Sequence, residues 1–494
     1  MSGGEVTSVR RRYLYMGLLT AGALLIHGYH AGAEDAEIYL PGVKKLLNPH
    51  LYPFGAEFFL DHARLTLFDE LIAASVRISH LSFDLSIFIW YVASTFLTLY
   101  ACWQLSAECF EEAEARWAAV GTVAALLTIP VAGTALYIAD QYLTARSIVT
   151  FAVLFAISNT LKGRTMRAAV WTTIAACVHP LMAVFGLSYA LILWRMKHRD
   201  PAFKGTVVYQ FLPASFLLNN LLPARSAAYQ QAVATREYFF LLQWQWYELL
   251  GALAPFLVLL IFVRLSEKRS ARTLRLMSQG LIVYGLFYLV MALVLTIPAP
   301  LQAAARFQPM RSLHLLYIIM FVLGGGLIGR YILRRHAWRW IAFFLPLCAG
   351  MFFAQRQLFP ASAHVEWPNV APTNDWLRAF EWIRQNTPTD ALFAVDPEYM
   401  NKDDQHGFRI IAERSRLADA VKDSGAVTMF PELPAADHWL EQLTAQRGWE
   451  HFEAKDFRRL QKTYGVTWIV SERALNPNFE CPYINQTVRV CRID

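Results

Sequence analysis

The chain has 494 residues, of which 56% are hydrophobic and 17% charged, with a formal net charge of +7. This composition excludes an ordinary soluble protein of the same length. It also argues against nucleic-acid binding as the origin of the positive charge, because Lys and Arg cluster between long apolar runs, as the basic flanks of membrane spans do. The apolar runs stop near residue 360, dividing the chain into a membrane domain, 1–360, and a C-terminal domain, 361–494.

A spanning helix needs about 20 mostly apolar residues. The first candidate, 13–29, follows Arg10, Arg11 and Arg12 and precedes Ala31-Gly32-Ala33, a pattern that a cleaved signal peptide shares. The run from Tyr13 to Tyr29 can span with its flanks, so it reads as an uncleaved first helix. The further candidates are 85–105, 117–137, 145–161, 204–222, 248–264, 276–297, 312–329 and 339–358. Segment 168–194 differs. Lys162, Arg164 and Arg167 precede it, and Arg195, Lys197, His198 and Arg199 follow it. By the positive-inside rule both clusters are cytoplasmic, so an even number of crossings lies between them. Pro breaks helices, and His179-Pro180 sits at the middle of the segment. It therefore predicts a hairpin of two short helices whose freed backbone is buried in protein or faces a watery cavity. The basic loops 264–275 and 330–339 are cytoplasmic on the same rule. Loop 106–116 is acidic and is placed there by parity alone. The sum is a polytopic α-helical membrane protein of about 11 membrane helices, with a cytoplasmic N-terminus and an extracytoplasmic C-terminal domain.

Four stretches then fall on the outer face: 30–84, a short one from Asp140 to Thr144, 223–247 and 298–311. The first opens with Glu34, Asp35 and Glu37, then predicts amphipathic helices over 36–47 and 66–80 lying in the interface plane. These acids either cap a helix and face water or belong to a site. In the third stretch Trp244 and Trp246 suit an interfacial aromatic belt, while Arg236 neighbours Glu237 beside an apolar run. The fourth holds Arg306 and Arg311, with His314 just beyond it. Arginines at an interface snorkel to headgroups or grip a phosphate bidentately.

The C-terminal domain alternates helix and strand. Thr373 or Asn374 caps a helix with Trp376, Phe380 and Ile383 on one face. Strands are expected at 391–395, 466–470 and 488–491 and helices at 435–447 and 455–464, which makes an α/β domain. Asp396, Asp403, Asp404 and His406 share a loop that reads as solvated rather than cation-binding. Cys481 and Cys491 can close a disulfide on an oxidising face or remain buried thiols.

A long first outer loop opening with acids, a short tyrosine-containing outer loop, paired short helices and an outer C-terminal domain together resemble the GT-C superfamily of membrane glycosyltransferases. The segments GAEDAEIYLPGVKKLLNPHLYP, ADQYLTARS, GRTMRAAVWTTIAACVHPLMA, FQPMRSLHL and DFRRLQKTYGVTWIV resemble those of bacterial members. The resemblance implies transfer of a sugar from a polyprenyl-phosphate or -diphosphate carrier to a glycan, lipid or protein acceptor outside a bacterial cytoplasmic membrane. It makes Asp35 the general base or acceptor organiser, with Glu34 beside it, and Asp140 a second acid for the acceptor or for a divalent cation such as Mg or Mn. The chain has no clear acidic set for a metal, and it lacks the WWD-type signature of transfer to asparagine. Chemically, a departing phosphate needs charge stabilisation, for which Arg236, Arg306 and Arg311 are the candidates, and the acceptor hydroxyl needs a carboxylate base. His179 caps the broken helix. Two rival readings are a transporter built on that broken helix and a non-catalytic envelope scaffold. No internal repeat supports the first, and the charges gather at the surface rather than mid-membrane.

Overall fold

The computed structural model describes residues 3–198, 226–267, 271–297, 304–402, 404, 406–430, 434–472 and 479–493. Five of its helical stretches are long and apolar enough to cross a membrane: Phe83–Cys109, Trp246–Ser266, Arg272–Thr296, Ala304–Leu333 and Ala337–Leu358. The bundle begins with α1 (Gly3–His27), and the loop after it forms α2 (Ala36–Leu47), α3 (Glu57–Ala63) and α4 (Phe68–Ser79). Then come α5 (Phe83–Cys109), α6 (Ala113–Ala125), α7 (Ala145–Leu161), α8 (Thr165–Val178), α9 (Pro180–Lys197), α10 (Ala227–Ala234), α11 (Trp246–Glu267), α12 (Arg272–Thr296), α13 (Leu313–Ile328) and α14 (Ala337–Leu358). The predicted crossing at 204–222 lies outside the described residues.

Side chains decide which helices lie inside. Nearly every residue of α13 is buried, whereas α14 leaves large apolar side chains such as Trp338, Ile341 and Leu345 on the surface. α6 packs closely on α13 because Gly325 and Gly329 present no side chain. A Cβ on Gly325 would lie 2.5 Å from the Thr122 hydroxyl, and one on Gly329 would lie 2.7 Å from the Glu114 carbonyl. Small residues at a helix contact let backbones approach, which is how apolar helices gain packing energy without a hydrophobic drive.

Ion pairs mark the end of the bundle far from the C-terminal domain. Arg330 pairs with Glu112 at 2.9 Å, Arg335 with Glu114 at 2.7 Å, and Lys162 with Glu108 at 3.6 Å. The acidic loop 106–116 thus lies among the basic loops. α8 and α9 form an up-and-back pair. The Lys197 ammonium donates to the Leu161 carbonyl at that far end, 2.6 Å, while at the other end the Leu67 amide donates to the Cys177 carbonyl, 2.8 Å. The turn falls at His179, and Pro180 opens α9, where its missing N–H costs nothing.

One predicted span is corrected. Over 117–137 the helix ends at Ala125. Pro130 lacks an amide hydrogen, and Ala132 and Ala135 take left-handed φ of 45° and 54°. The irregular path pairs its own backbone, with the Val131 amide on the Leu136 carbonyl at 2.8 Å and the Ala139 amide on the Leu127 carbonyl at 2.6 Å. Enclosure in protein is what makes such a path tolerable beside lipid.

The C-terminal domain contains α15 (Asp375–Asn386), β1 (Leu392–Val395), α16 (Phe408–Ala412), β2 (Ser415–Arg416), α17 (Lys422–Val427), α18 (Ala435–Ala445), α19 (Ala454–Tyr464), β3 (Trp468–Ser471), β4 (Glu480–Ile484) and β5 (Arg489–Arg492). The sheet order is β2-β1-β3-β5-β4, with β1 parallel to β2 and β3 and the other pairs antiparallel. Asn374 caps α15 by accepting from the Trp376 and Leu377 amides, and Trp376, Phe380 and Ile383 bury one face against the sheet. Cys481 and Cys491 are disulfide-bonded across β4 and β5.

This domain docks on the first loop through buried charge. The fully buried Glu37 carboxylate of α2 accepts from the Arg409 amide at 3.0 Å, the Ile410 amide at 3.1 Å and the Arg416 guanidinium at 3.2 Å. Arg409 in turn makes a bidentate pair with Asp423, 2.8 and 2.9 Å. A buried carboxylate is tolerable only when its lone pairs are met in this way. Gly407 leaves room for it, since a Cβ there would stand 2.3 Å from a Glu37 oxygen. The loop around 396–406 is also corrected. Asp404 and His406 are buried rather than solvated, with Asp404 accepting from the Ser362 amide at 3.0 Å. Asp396 stands apart and accepts from the Glu398 amide at 2.9 Å, and Asp403 lies outside the described residues.

Candidate functional site

The start of α2, the irregular path 126–144, the first turn of α7, the His179 break, the loop after α10, the turn before α13 and α17 all meet around one cavity of about 350 Å³. Six of the residues singled out in sequence line it: Glu34, Asp35, Asp140, His179, Arg236 and Arg311.

Asp35 occupies the N-cap position of α2 but makes no side-chain cap. Its carboxylate is held by two cations, with Arg146 Nη1 at 3.0 Å and Lys422 Nζ at 3.3 Å. Arg146 also donates to Asp140 from Nη2 at 2.8 Å and Nε at 3.1 Å, and Thr144 adds its hydroxyl at 3.2 Å. Asp140 is almost wholly enclosed, while about a quarter of Asp35 faces the cavity, with side-chain exposures of 6% and 26%. Glu34, at a left-handed φ of 51°, turns its carboxylate onto Lys422 as well.

Burial by itself would raise the Asp35 carboxyl. Lys422, Arg146 and, more distantly, Arg311 outweigh it and hold the group well below the usual carboxylate range. Burial likewise opposes the Lys422 ammonium, and Glu34 and Asp35 overcome it and hold it above its ordinary value. Asp35 is therefore an anion, and Lys422 a cation, throughout the neutral range.

Two further cations line the cavity. Arg236 donates to the Val421 carbonyl and the Ser424 hydroxyl, and its Nε is buried without a partner. The Arg311 guanidinium lies over the Tyr238 ring, 5.6 Å from its centroid, and its Nε is also unpartnered. Among the described residues no carboxylate is within ion-pair distance of either arginine. The Gln308 side-chain oxygen, on the same wall, has no partner either. Two guanidiniums without a direct ion pair on a small cavity suit an anionic ligand group.

Arg306 does not join them: it points to the Met429 carbonyl, 3.4 Å away, outside the cavity wall. Pro180 contributes by ending α8 so that His179 reaches the wall. The acidic residues do not fit a divalent ion. Arg146 bridges Asp35 and Asp140 where Mg²⁺ or Mn²⁺ would sit, and Lys422 takes the remaining Asp35 oxygen and Glu34.

Sequence reasoning missed Arg146 and Lys422. Arg146 had a signal, since it is a charge just inside an apolar helix. Lys422 had none, because nothing local links it to a loop nearly 390 residues earlier.

Fold and site together define a helical protein with membrane-spanning stretches and a polar, doubly charged cavity roofed by a small α/β domain. A family model for a domain of unknown function, DUF6798, matches residues 374–423. That stretch runs from the cap of α15 through the Arg409–Asp423 pair and includes Lys422. No curated protein matches the chain.

Proposed function

We propose that this protein is a membrane glycosyltransferase of GT-C type, with about 11 membrane helices. In this reading it moves a sugar from a polyprenyl-phosphate or -diphosphate carrier to an acceptor on the outer face of a bacterial cytoplasmic membrane. The observation that carries the reading is that Asp35, pinned by Arg146 and Lys422, shares one cavity with Arg236 and Arg311, neither of which has a carboxylate within ion-pair distance among the described residues. The sidedness draws support from the basic loops gathered at the bundle end opposite the C-terminal domain.

In the reaction, the bond between the anomeric carbon and the phosphate oxygen breaks, and the electron pair stays with the phosphate. Arg236 and Arg311 meet the charge that develops there. The acceptor oxygen bonds to the oxocarbenium-like carbon and loses its proton to Asp35. Asp35 is a weak base because Lys422 and Arg146 stabilise its anion. It suffices because the hydroxyl becomes strongly acidic only once bonding to the sugar carbon has begun. Arg146 and Asp140 fix its position, and no step needs a metal.

The test is a transfer assay with purified protein and polyprenyl-phosphate sugars, run on wild type, Asp35→Asn and Arg311→Ala. The reading requires wild-type turnover and loss in both variants. If wild type instead carries a solute across proteoliposomes and transfers no sugar, the transporter reading replaces it.

A further inference from the structure

A second cluster lies outside this cavity, where three distant parts of the chain cross. His30 lies in the loop just beyond the end of α1 at His27, Glu366 lies in the linker after α14, and His406 lies in the loop before α16 of the C-terminal domain. Backbone bonds hold the crossing together. The Tyr29 amide donates to the His364 carbonyl at 3.0 Å, the Glu366 amide to the Tyr29 carbonyl at 2.9 Å, and the Gly407 amide to the Gly32 carbonyl at 2.8 Å. One nitrogen of each histidine and a carboxylate oxygen of Glu366 lie within 4.8 Å of one another. His30 and His406 are buried, at 0% and 1% exposure.

Both ring nitrogens of His406 face oxygen atoms. Its Nδ1 faces the Asp404 carbonyl at 3.4 Å, an acceptor that orients the ring. Nε2 lies 2.8 Å from a Glu366 oxygen, at ion-pair distance but out of line for a hydrogen bond. His30 Nδ1 approaches the same oxygen at 3.1 Å, its ring stacked on Phe359 at 3.7 Å, and its Nε2 is buried without a partner. Two imidazoles and one carboxylate, each on a different chain segment and locked by its backbone, form the donor set of a borderline divalent ion. Glu366 also borders a second cavity of about 360 Å³, lined by Tyr29, Ala31 and Trp367.

We propose that His30, Glu366 and His406 bind one Zn²⁺ ion, which clamps the C-terminal domain to the ends of α1 and α14. This site stands apart from the glycosyl-transfer reading and holds whether or not that reading does. Because an ion bound only by the folded state stabilises it, the test needs no substrate. Untagged protein is stripped with EDTA, and Zn²⁺ is then returned while binding is followed by calorimetry and melting temperature. Wild type should take up about one Zn²⁺ per chain and melt several degrees higher. His406→Gln should bind at least about tenfold more weakly and show no such rise. Co²⁺ in place of Zn²⁺ should give a tetrahedral d–d absorption in wild type alone, which reports on the site even if the variant is less stable. Absence of stoichiometric Zn²⁺ uptake by stripped wild type, or equal uptake by folded His406→Gln and His30→Asn, overturns the proposal.

Discussion

Asp35, at the head of the first loop, and Lys422, in the C-terminal domain, meet at 3.3 Å across the cavity roof. The charged centre is therefore incomplete without the C-terminal domain, because one of the two cations that hold Asp35 comes from it. Lys422→Met should lower transfer at least about tenfold while leaving the fold intact. Without the ammonium the Asp35 carboxyl rises toward its ordinary range, so the acid limb of the pH–rate profile should move to higher pH. Lys422→Arg should restore most of both. A Lys422→Met variant with a wild-type pH profile would separate Lys422 from the chemistry.

Arg236 and Arg311 are assigned to the phosphate. Removing one preorganised donor to a developing negative charge typically costs about 10²–10³ in rate. Arg311→Ala should cost about that much. Arg311→Lys should recover only part, since an ammonium is a point charge without the planar fork. Arg306→Ala, outside the wall, should stay within about threefold of wild type. Steady-state kinetics on the three variants would expose a mistaken division if Arg306→Ala proved the most damaging.

Glu37 predicts stability rather than rate. Three donors converge on its buried carboxylate, so Glu37→Ala strands the α16 amides and leaves Arg416 only Asp419 and Asp423 as acidic partners. Breaking one partner of a buried ionic group costs about 3–5 kcal/mol. Melting followed in detergent should show the C-terminal domain released from the bundle at lower temperature, with limited proteolysis cutting near the linker around residue 366.

Asp69 predicts a pH dependence. It is buried in α4 beside Gly42, and burial, with Glu70 nearby, pushes its carboxyl up to about 8. In the unfolded chain it ionises near its usual value of about 4. Between these two values the unfolded state releases the proton and the folded state keeps it, so stability falls as pH rises from about 4 to about 8 and levels off above. Asp69→Asn removes this loss. Its melting temperature should exceed that of wild type by a few degrees at pH 8, and the excess should shrink steadily toward pH 4. A constant difference across that range would contradict the assignment.

Long-period features were legible in the sequence. Apolar runs, basic flanks and the Pro180 break predicted most helix ranges, because those signals lie within a single turn or span. The 117–137 run misled because its apolar content is that of a span, while Pro130 and the strained Ala132 and Ala135 break the backbone where hydropathy is blind. β2, with two residues, and α16 and α17, with five and six, are too short to show a period. In the site, Asp35, Asp140, Arg236 and Arg311 could be nominated because each is a charge at the end of an apolar run. Their pairing could not, because Arg146 and Lys422 reach them only through tertiary contact. The same limit hid His30 and Glu366, whose meaning depends on His406.

The most direct test of the central claim is single-turnover sugar transfer by wild type and Asp35→Asn from a polyprenyl-phosphate sugar in the same lipid vesicles. The account predicts turnover by wild type and a loss of about 10²–10⁴-fold in Asp35→Asn, with donor lipid still bound. Equal transfer rates for the two proteins would contradict it.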